Sequence, residues 1–394
     1  MQLSYVFNRG VFLSLLLAVF GMILVGCDSG GGSSDGSGGG DLTTDESQTQ
    51  LQNADTDFAA ELNGLTGGEF GLTIQGLFFG TSGSTTASKA SQPLGFTLLD
   101  ALDTQNVLGT TPDGRLTFQT GEFSWNGSSW TSSSSSNDLI LNFPTEEGIN
   151  NNARFTLSTY TDQAVTIEGK TQYLPTTIDV SLSVGGSEIF SVDLSGTDFY
   201  TETLNTSSGA TQLPRQFALD ILTAPIRHSV DYSSPSKREF DLDVELTKAS
   251  NQQRILRFLV GLTFMQNFDA ASGAGDVQTV EGELGFGPDV VLAYTVDVAG
   301  LDQLGTSPSP QDINNQFTAT MRYRGSKMGT IEWGTLNGQP NALFVYNDGS
   351  KVLLKDAFGQ TSTIANSSPV GMVTLAMKTV AGKMKTAVAK VFQP

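Results

Sequence analysis

Residues 177–194 read TIDVSLSVGGSEIFSVDL. Apolar and polar residues alternate from Ile178 to Val184 and again from Ile189 to Leu194, although less strictly, which places the apolar side chains on one face of each strand. The Gly-Gly pair at 185–186 favours a tight turn, because glycine tolerates positive φ. This stretch therefore predicts an antiparallel β-hairpin.

Short runs of the same kind recur through the rest of the chain from about residue 51. They cover residues 69–79, 116–125, 139–143, 154–160, 240–246, 255–264, 276–298, 317–323, 329–333, 342–346 and 351–354. Residues 212–232 are ambiguous, since they fit either a strand or a short helix that Pro225 would break. Hairpin connections dominate and no βαβ period is found. The pattern predicts a mainly β protein: a large curved antiparallel sheet, an open barrel or a sandwich, with a split near residues 205–212 as an alternative to a single body.

The N-terminus has the composition of an export signal. Arg9 is the only charged residue before a run from Val11 to Val25 that is almost wholly apolar. That run is shorter than the roughly 20 apolar residues that cross a bilayer as a helix, and a small residue, Gly26, follows it. A basic start, an apolar core and a small residue are typical of a signal peptide, which we predict over residues 1–26.

The four residues Leu24, Val25, Gly26 and Cys27 resemble the lipobox of bacterial lipoproteins. The resemblance implies that a lipid is attached to the Cys27 thiol and that the peptide is cut before it. Cys27 is the only cysteine, so no intramolecular disulfide competes for the thiol. The expected location is the cell envelope, bound to a membrane through Cys27, with the inner and outer membranes both open.

Residues 27–50 are predicted to be a flexible linker. Asp28 to Gly40 consists of Asp, Ser and Gly, and polar residues continue to about Gln50. Such a sequence can bury little apolar surface and behaves as a coil. The folded body is accordingly predicted over residues 51–394.

The C-terminus is predicted to form an amphipathic helix over residues 369–392. Val373, Met377, Val380 and Met384 recur at steps of four and three, which places them on one helix face. The segment carries four lysines and no acid, whereas the whole chain has a net charge of −19. We expect the apolar face to pack on the sheet. A second interpretation makes these four residues contacts of a gate over an apolar cavity, or part of a surface that touches anionic lipid.

The sequence argues against several chemistries. The net negative charge opposes nucleic-acid binding, which needs clustered cations. His228 is the only histidine, so the usual His-rich metal sites are excluded, and we expect it to be an ordinary surface or strand residue. No nucleotide-binding or nucleophile motif is found. We therefore predict no catalytic residues, no metal and no cofactor. Carboxylates at 241, 243, 245, 281 and 283 alternate as on a solvated strand face.

Two functions fit these patterns. The first is a non-enzymatic binding or carrier module for an apolar ligand or lipid, similar in outline to lipid-binding envelope lipoproteins. The alternative is a structural or adhesive envelope protein that acts through its outer surface and has an envelope protein as its partner. An enzyme such as a glycosidase is the third and weakest hypothesis, because it rests only on carboxylates in strands.

Overall fold

The computed structural model describes residues 41–54 and 108–357, apart from residues 112–114, 128, 146–149, 168–169, 201–203, 207–208, 212–213, 268–276, 305–308 and 337–338. The predicted signal peptide, most of the predicted linker, the predicted strand at 69–79 and the predicted C-terminal helix lie outside the described residues.

The described chain consists mainly of strands. Its helices are α1 (residues 44–54), α2 (Val298–Asp302), α3 (Pro310–Asn314) and α4 (Leu354–Ala357). Its strands are β1 (Leu108–Thr110), β2 (Leu116–Phe118), β3 (Gly121–Trp125), β4 (Trp130–Ser134), β5 (Leu139–Phe143), β6 (Ala153–Ile167), β7 (Lys170–Val184), β8 (Ser187–Phe199), β9 (Leu204–Thr206), β10 (Gly209–Thr211), β11 (Pro214–Thr223), β12 (Ile226–Ser236), β13 (Glu239–Lys248), β14 (Arg254–Phe264), β15 (Val277–Phe286), β16 (Val290–Asp297), β17 (Phe317–Tyr323), β18 (Ser326–Leu336), β19 (Gln339–Tyr346) and β20 (Lys351–Leu353).

Sixteen of these strands form one sheet. Their order is β20-β19-β18-β17-β16-β15-β14-β13-β12-β11-β8-β7-β6-β5-β3-β4, so nearly every strand pairs with its neighbours in the chain. All of the pairs are antiparallel except β3 with β5. The sheet is not closed, and β20 and β4 are its two edge strands. The prediction of a mainly β, largely antiparallel protein is confirmed.

The predicted hairpin at 177–194 is confirmed as β7 and β8. Val180 lies opposite Val192, and Leu182 lies opposite Phe190, so the apolar residues share one face. Gly185 and Gly186 both have positive φ, 58° and 82°, which is the backbone conformation that the tight turn requires.

The apolar face of the sheet holds two core clusters. The first is formed by strands β3 to β8 and β11, and includes Leu139, Leu182 and Ile221. The second is formed by strands β12 to β20 with α1 and α4, and includes Val260, Met321 and Phe344. Charged residues lie mainly on the other face, which we call the outer face.

Two sequence interpretations change in the structure. Residues 214–236, within and beyond the ambiguous stretch, form the hairpin β11–β12, with Pro225 in the turn. At the proposed split, β9 and β10 form a small hairpin of their own while β8 pairs directly with β11. The hydrogen-bonded sheet is therefore continuous across residues 205–212.

The predicted linker over residues 27–50 is wrong at its end, because residues 44–50 belong to α1. The Glu46 backbone N–H donates to Thr43 Oγ1 at 3.3 Å, while the Thr43 backbone N–H donates to the Glu46 carboxylate at 2.9 Å. This reciprocal capping box satisfies donors that the start of a helix leaves free. Leu51 and Ser47 are fully buried. The folded body therefore includes residues 41–50, which precede its predicted start at residue 51.

Candidate functional site

None of the side chains proposed from the sequence as lipid or ligand contacts falls within the described residues. Cys27, Val373, Met377, Val380 and Met384 all lie outside them, so their predicted roles stay predictions. Among the described residues, no cluster of three or more His, Cys, Asp or Glu side chains has the arrangement of a metal site.

The feature that best fits ligand binding is a band of apolar side chains in the middle of the sheet. Val230, Val244, Phe258 and Leu284 lie directly opposite one another on β12, β13, β14 and β15. All four are only half-buried. Leu242, Leu246 and Leu256 extend this row on the same face and are also half-buried. We call these seven residues the apolar strip.

The apolar strip lies between the two core clusters. Val230 packs against the first cluster, whereas Phe258 and Leu284 pack against the second. Val244 and Leu246 belong to neither cluster. The apolar side chains of the strip are thus partly exposed to solvent. Covering them with apolar groups would lower the free energy.

His228 borders the strip. It lies opposite Ile221 on β11 and Leu246 on β13, with 4% of its surface exposed. Its Nε2 is 3.0 Å from the Thr223 hydroxyl. Burial lowers the pKa of His228 to about 4, so the ring is neutral at ordinary pH. The expectation of a strand residue is confirmed, and that of a surface residue is wrong, because His228 faces the core side of the sheet.

The carboxylates proposed as an alternative catalytic set lie on the outer face. The Arg257 guanidinium joins two of them: its Nη2 is 2.6 Å from Asp243, and its Nη1 is 3.5 Å from Glu283. The hydrogen bonds to Asp243 raise the pKa of Arg257. Arg257, on β14, therefore links β13 and β15 through its two ion pairs. This is the pattern of a cross-strand ion pair on a sheet surface.

The three tryptophans of the chain are buried or half-buried in the sheet. Trp130 is 7% exposed and lies edge-on to Trp125, with ring centroids 5.5 Å apart. Trp333 is half-buried, and the Asn314 side chain of α3 hydrogen-bonds its backbone N–H and C=O at 2.7 and 2.8 Å. The ring contact favours a structural role for Trp125 and Trp130, and the hydrogen bonds from Asn314 hold the backbone of Trp333.

The N-terminal segment around residues 42–44 is attached to the sheet by hydrogen bonds that were not predicted from the sequence. The Leu42 N–H donates to the Lys327 carbonyl at 3.0 Å, and Asn347 Nδ2 donates to the carbonyls of Leu42 and Lys327 at 3.0 and 2.7 Å. The Thr44 hydroxyl also donates to Asp348 at 2.7 Å. The available signal was the Thr-x-x-Glu pattern at 43–46, which marks a helix start.

Comparisons with known proteins add little to this picture. No family model matches the chain, and none of the curated proteins matches it. One solved structure is similar, a porin-like protein from Bacteroides vulgatus, at 7% sequence identity and a TM-score of 0.17, over 62% of this chain and 89% of that one. At that TM-score the similarity supports no conclusion about function. Among the described residues, no helix has both the length and the apolar character needed to cross a membrane.

Proposed function

We propose that this protein is an envelope lipoprotein, held to a membrane by lipid on Cys27, whose body binds an apolar ligand or lipid without catalysing a reaction. The observation that carries the ligand-binding part is the half-buried apolar strip between the two core clusters. The lipobox-like sequence before Cys27 supports the anchor.

An acyl chain is the simplest ligand for the strip. The strip residues lie on four neighbouring strands, whose spacing of about 4.8 Å makes the row roughly 15 Å wide. That width matches an extended chain of roughly ten methylenes. Burying those methylenes contributes about 8 kcal/mol, from which the entropic cost of association must be subtracted. Reversible binding is the expected result.

The proposed C-terminal helix would serve as a cover. Its face with Val373, Met377, Val380 and Met384 is apolar, and the described chain ends at Ala357, which is buried against the second core cluster. Eleven residues, 358–368, connect Ala357 to the predicted helix, and they can span up to about 36 Å when extended. This is enough to reach the strip from the β20 edge. In this proposal the helix and the ligand share the strip.

The test is ligand binding by a matched pair of variants. The Val244→Asn change places an amide in the strip, whereas Val291→Asn makes the same change on the outer face of β16, where Val291 lies opposite Gly285. Binding of a fluorescent fatty acid should weaken at least tenfold in Val244→Asn and stay within twofold in Val291→Asn. Equal binding by both variants and the wild type, with unchanged thermal melting, would refute the strip as the site.

One observation favours the alternative, a structural or adhesive protein that acts through its surface. Edge strand β4 exposes Thr131, Ser132, Ser133 and Ser134, and among the described strands it pairs only with β3. An exposed sheet edge can accept a strand from a partner. Native mass spectrometry of protein extracted from its own membranes separates the two functions: a bound lipid supports the carrier, and a bound envelope protein supports the alternative.

A further inference from the structure

Among the strands from β11 to β20, five tight connections lie at one end of the sheet; the β7–β8 turn lies at the same end and contributes Glu188. The five connections join β11 to β12, β13 to β14, β15 to β16, β17 to β18 and β19 to β20, and every residue in them is described. Counting two flanking residues on each side, these five turns contain seven cations and two acids. The cations are Arg227, Lys248, Arg254, Arg322, Arg324, Lys327 and Lys351, and the acids are Asp289 and Asp348. We call the seven cations the basic rim.

The other end of the same strands has the opposite charge. Its connections run from β12 to β13, from β14 to β15, from β16 to β17 and from β18 to β19. With the same flanks, their described residues include Lys237 and Arg238 against Glu239, Asp297, Asp302 and Asp312. Strands β11 to β20 therefore have mainly cations in the turns at one end and mainly acids in the connections at the other, although the whole chain has a net charge of −19.

The charge of the basic rim is only partly compensated. Three of its cations form ion pairs: Arg227 with Asp220, Arg324 with Asp289 at 3.0 Å, and Lys351 with Glu332 at 3.0 Å. Arg254 and Arg322 instead donate hydrogen bonds to backbone carbonyls, those of Gly287, Pro288 and Gly325. A guanidinium that is bound to a carbonyl keeps its full positive charge. These two residues therefore supply cationic charge that no carboxylate in the described residues neutralises.

The N-terminal segment joins the body at this same end. Leu42 is hydrogen-bonded to Lys327, a member of the basic rim, and to Asn347 in the adjacent turn. Only residues 28–40 separate Cys27 from the described segment, and a flexible chain of 13 residues spans roughly 20 Å. A lipid on Cys27 would hold the rim close to the bilayer surface, where electrostatic attraction acts over a screening length of about 8 Å.

We infer that the basic rim is a membrane-binding surface that contacts anionic lipid headgroups and holds the sheet with its strands pointing away from the bilayer. The inference rests on the proposed lipid anchor for its geometry. It also adds a route for the ligand. Leu246 and Leu256 of the apolar strip lie two residues from Lys248 and Arg254 along their own strands, so the strip has one end near the rim. A lipid could enter the strip directly from the membrane.

The binding test uses the mature chain without its lipid, residues 27–394 with Cys27→Ser. This protein should sediment with vesicles that contain 30% phosphatidylglycerol and not with pure phosphatidylcholine vesicles. Because each cation near an anionic surface contributes about fivefold, Arg322→Gln with Lys327→Gln should weaken binding by about 25-fold. The control, Lys237→Gln with Arg238→Gln, removes the same charge at the other end and should change binding less than twofold. Absence of binding, or equal loss in both double variants, would overturn the inference.

The orientation test uses the lipidated protein in the same vesicles. A dye is placed on a single new thiol, either Ser250→Cys in a rim turn or Gln266→Cys at the other end, since the native thiol would carry the lipid. Energy transfer to a headgroup dye should be stronger from position 250. Equal transfer from both positions would overturn the orientation while leaving the anchor intact. Equal sedimentation of the lipidated protein and of the Cys27→Ser chain would refute the anchor and support the rim.

Discussion

Tyr294 crosses over Gly282. The two residues lie opposite each other on β16 and β15, and the Tyr294 hydroxyl reaches past the glycine to the Leu259 carbonyl on β14, at 3.4 Å. A Cβ atom on residue 282 would lie 1.9 Å from that carbonyl oxygen and 2.9 Å from the tyrosine hydroxyl. Only a residue without a side chain allows strands β14 and β15 to approach this closely.

Replacing Gly282 should therefore strongly destabilise the folded protein. Gly282→Ala forces backbone atoms apart in the middle of the sheet, and we expect it to lower the free energy of unfolding by about 3 kcal/mol or more. Gly349→Ala is the contrasting change, at a turn glycine whose added Cβ would meet no atom within 4 Å. Its cost should be limited to the strain of its positive φ, about 1 kcal/mol. Urea denaturation measures the free energy of unfolding of both variants. Equal destabilisation by the two changes would contradict the close approach of β14 and β15.

Burial of His228 predicts a specific pH dependence. The pKa of His228 is lowered to about 4 in the folded protein, whereas an unfolded histidine titrates near 6.5. Protonation therefore favours the unfolded state, so this stability is complete above pH 6.5 and is lost as the pH falls towards 4. The loss amounts to about 3 kcal/mol at the acid end.

The His228→Gln variant isolates this effect. Glutamine keeps a polar group beside the Thr223 hydroxyl but does not titrate. The difference in unfolding free energy between wild type and variant should shrink or reverse as the pH is lowered from 7 to 4.5. A difference that stays constant over this range would show that His228 titrates normally and is not buried in solution.

Helix α1 should stabilise the whole sheet and not only itself. Leu51 is fully buried in the second core cluster, so Leu51→Ala should cost about 2 to 5 kcal/mol. Gln48→Ala, at an exposed position of the same helix, should change stability by less than 0.5 kcal/mol. Hydrogen exchange should become faster in residues 44–54 and in β18 for the first variant alone. Unchanged exchange in β18 would mean that α1 does not pack there.

The strands were predictable where the alternation was local. Residues 177–194 contain both apolar runs and the glycines of the turn, so the hairpin follows from a few neighbouring residues. The same holds for β5 and β17, whose predicted bounds match the structure. Residues 214–236 were harder, because the spacing of Phe217 and Ile221 fits a helix as well as a strand. Only the pairing of β11 with both β8 and β12 decides between them.

The apolar strip could not be predicted from the sequence, because it depends on the register between strands that are far apart in the chain. Val230, Val244, Phe258 and Leu284 are separated by 14, 14 and 26 residues, and only the register of four strands places them in one row. Their partial exposure depends on which surfaces the core clusters leave uncovered. The basic rim is similar: its cations are scattered in the sequence, and only the alternating direction of the strands collects them at one end.

Membrane attachment through Cys27 is most directly tested by the intact mass of the protein purified from the membranes of cells that make it. The account predicts a chain that begins at residue 27 and carries the added mass of a diacylglycerol, with or without a further acyl group on its new amine. A chain that still begins at Met1, or one that is cut and carries no lipid, would contradict it.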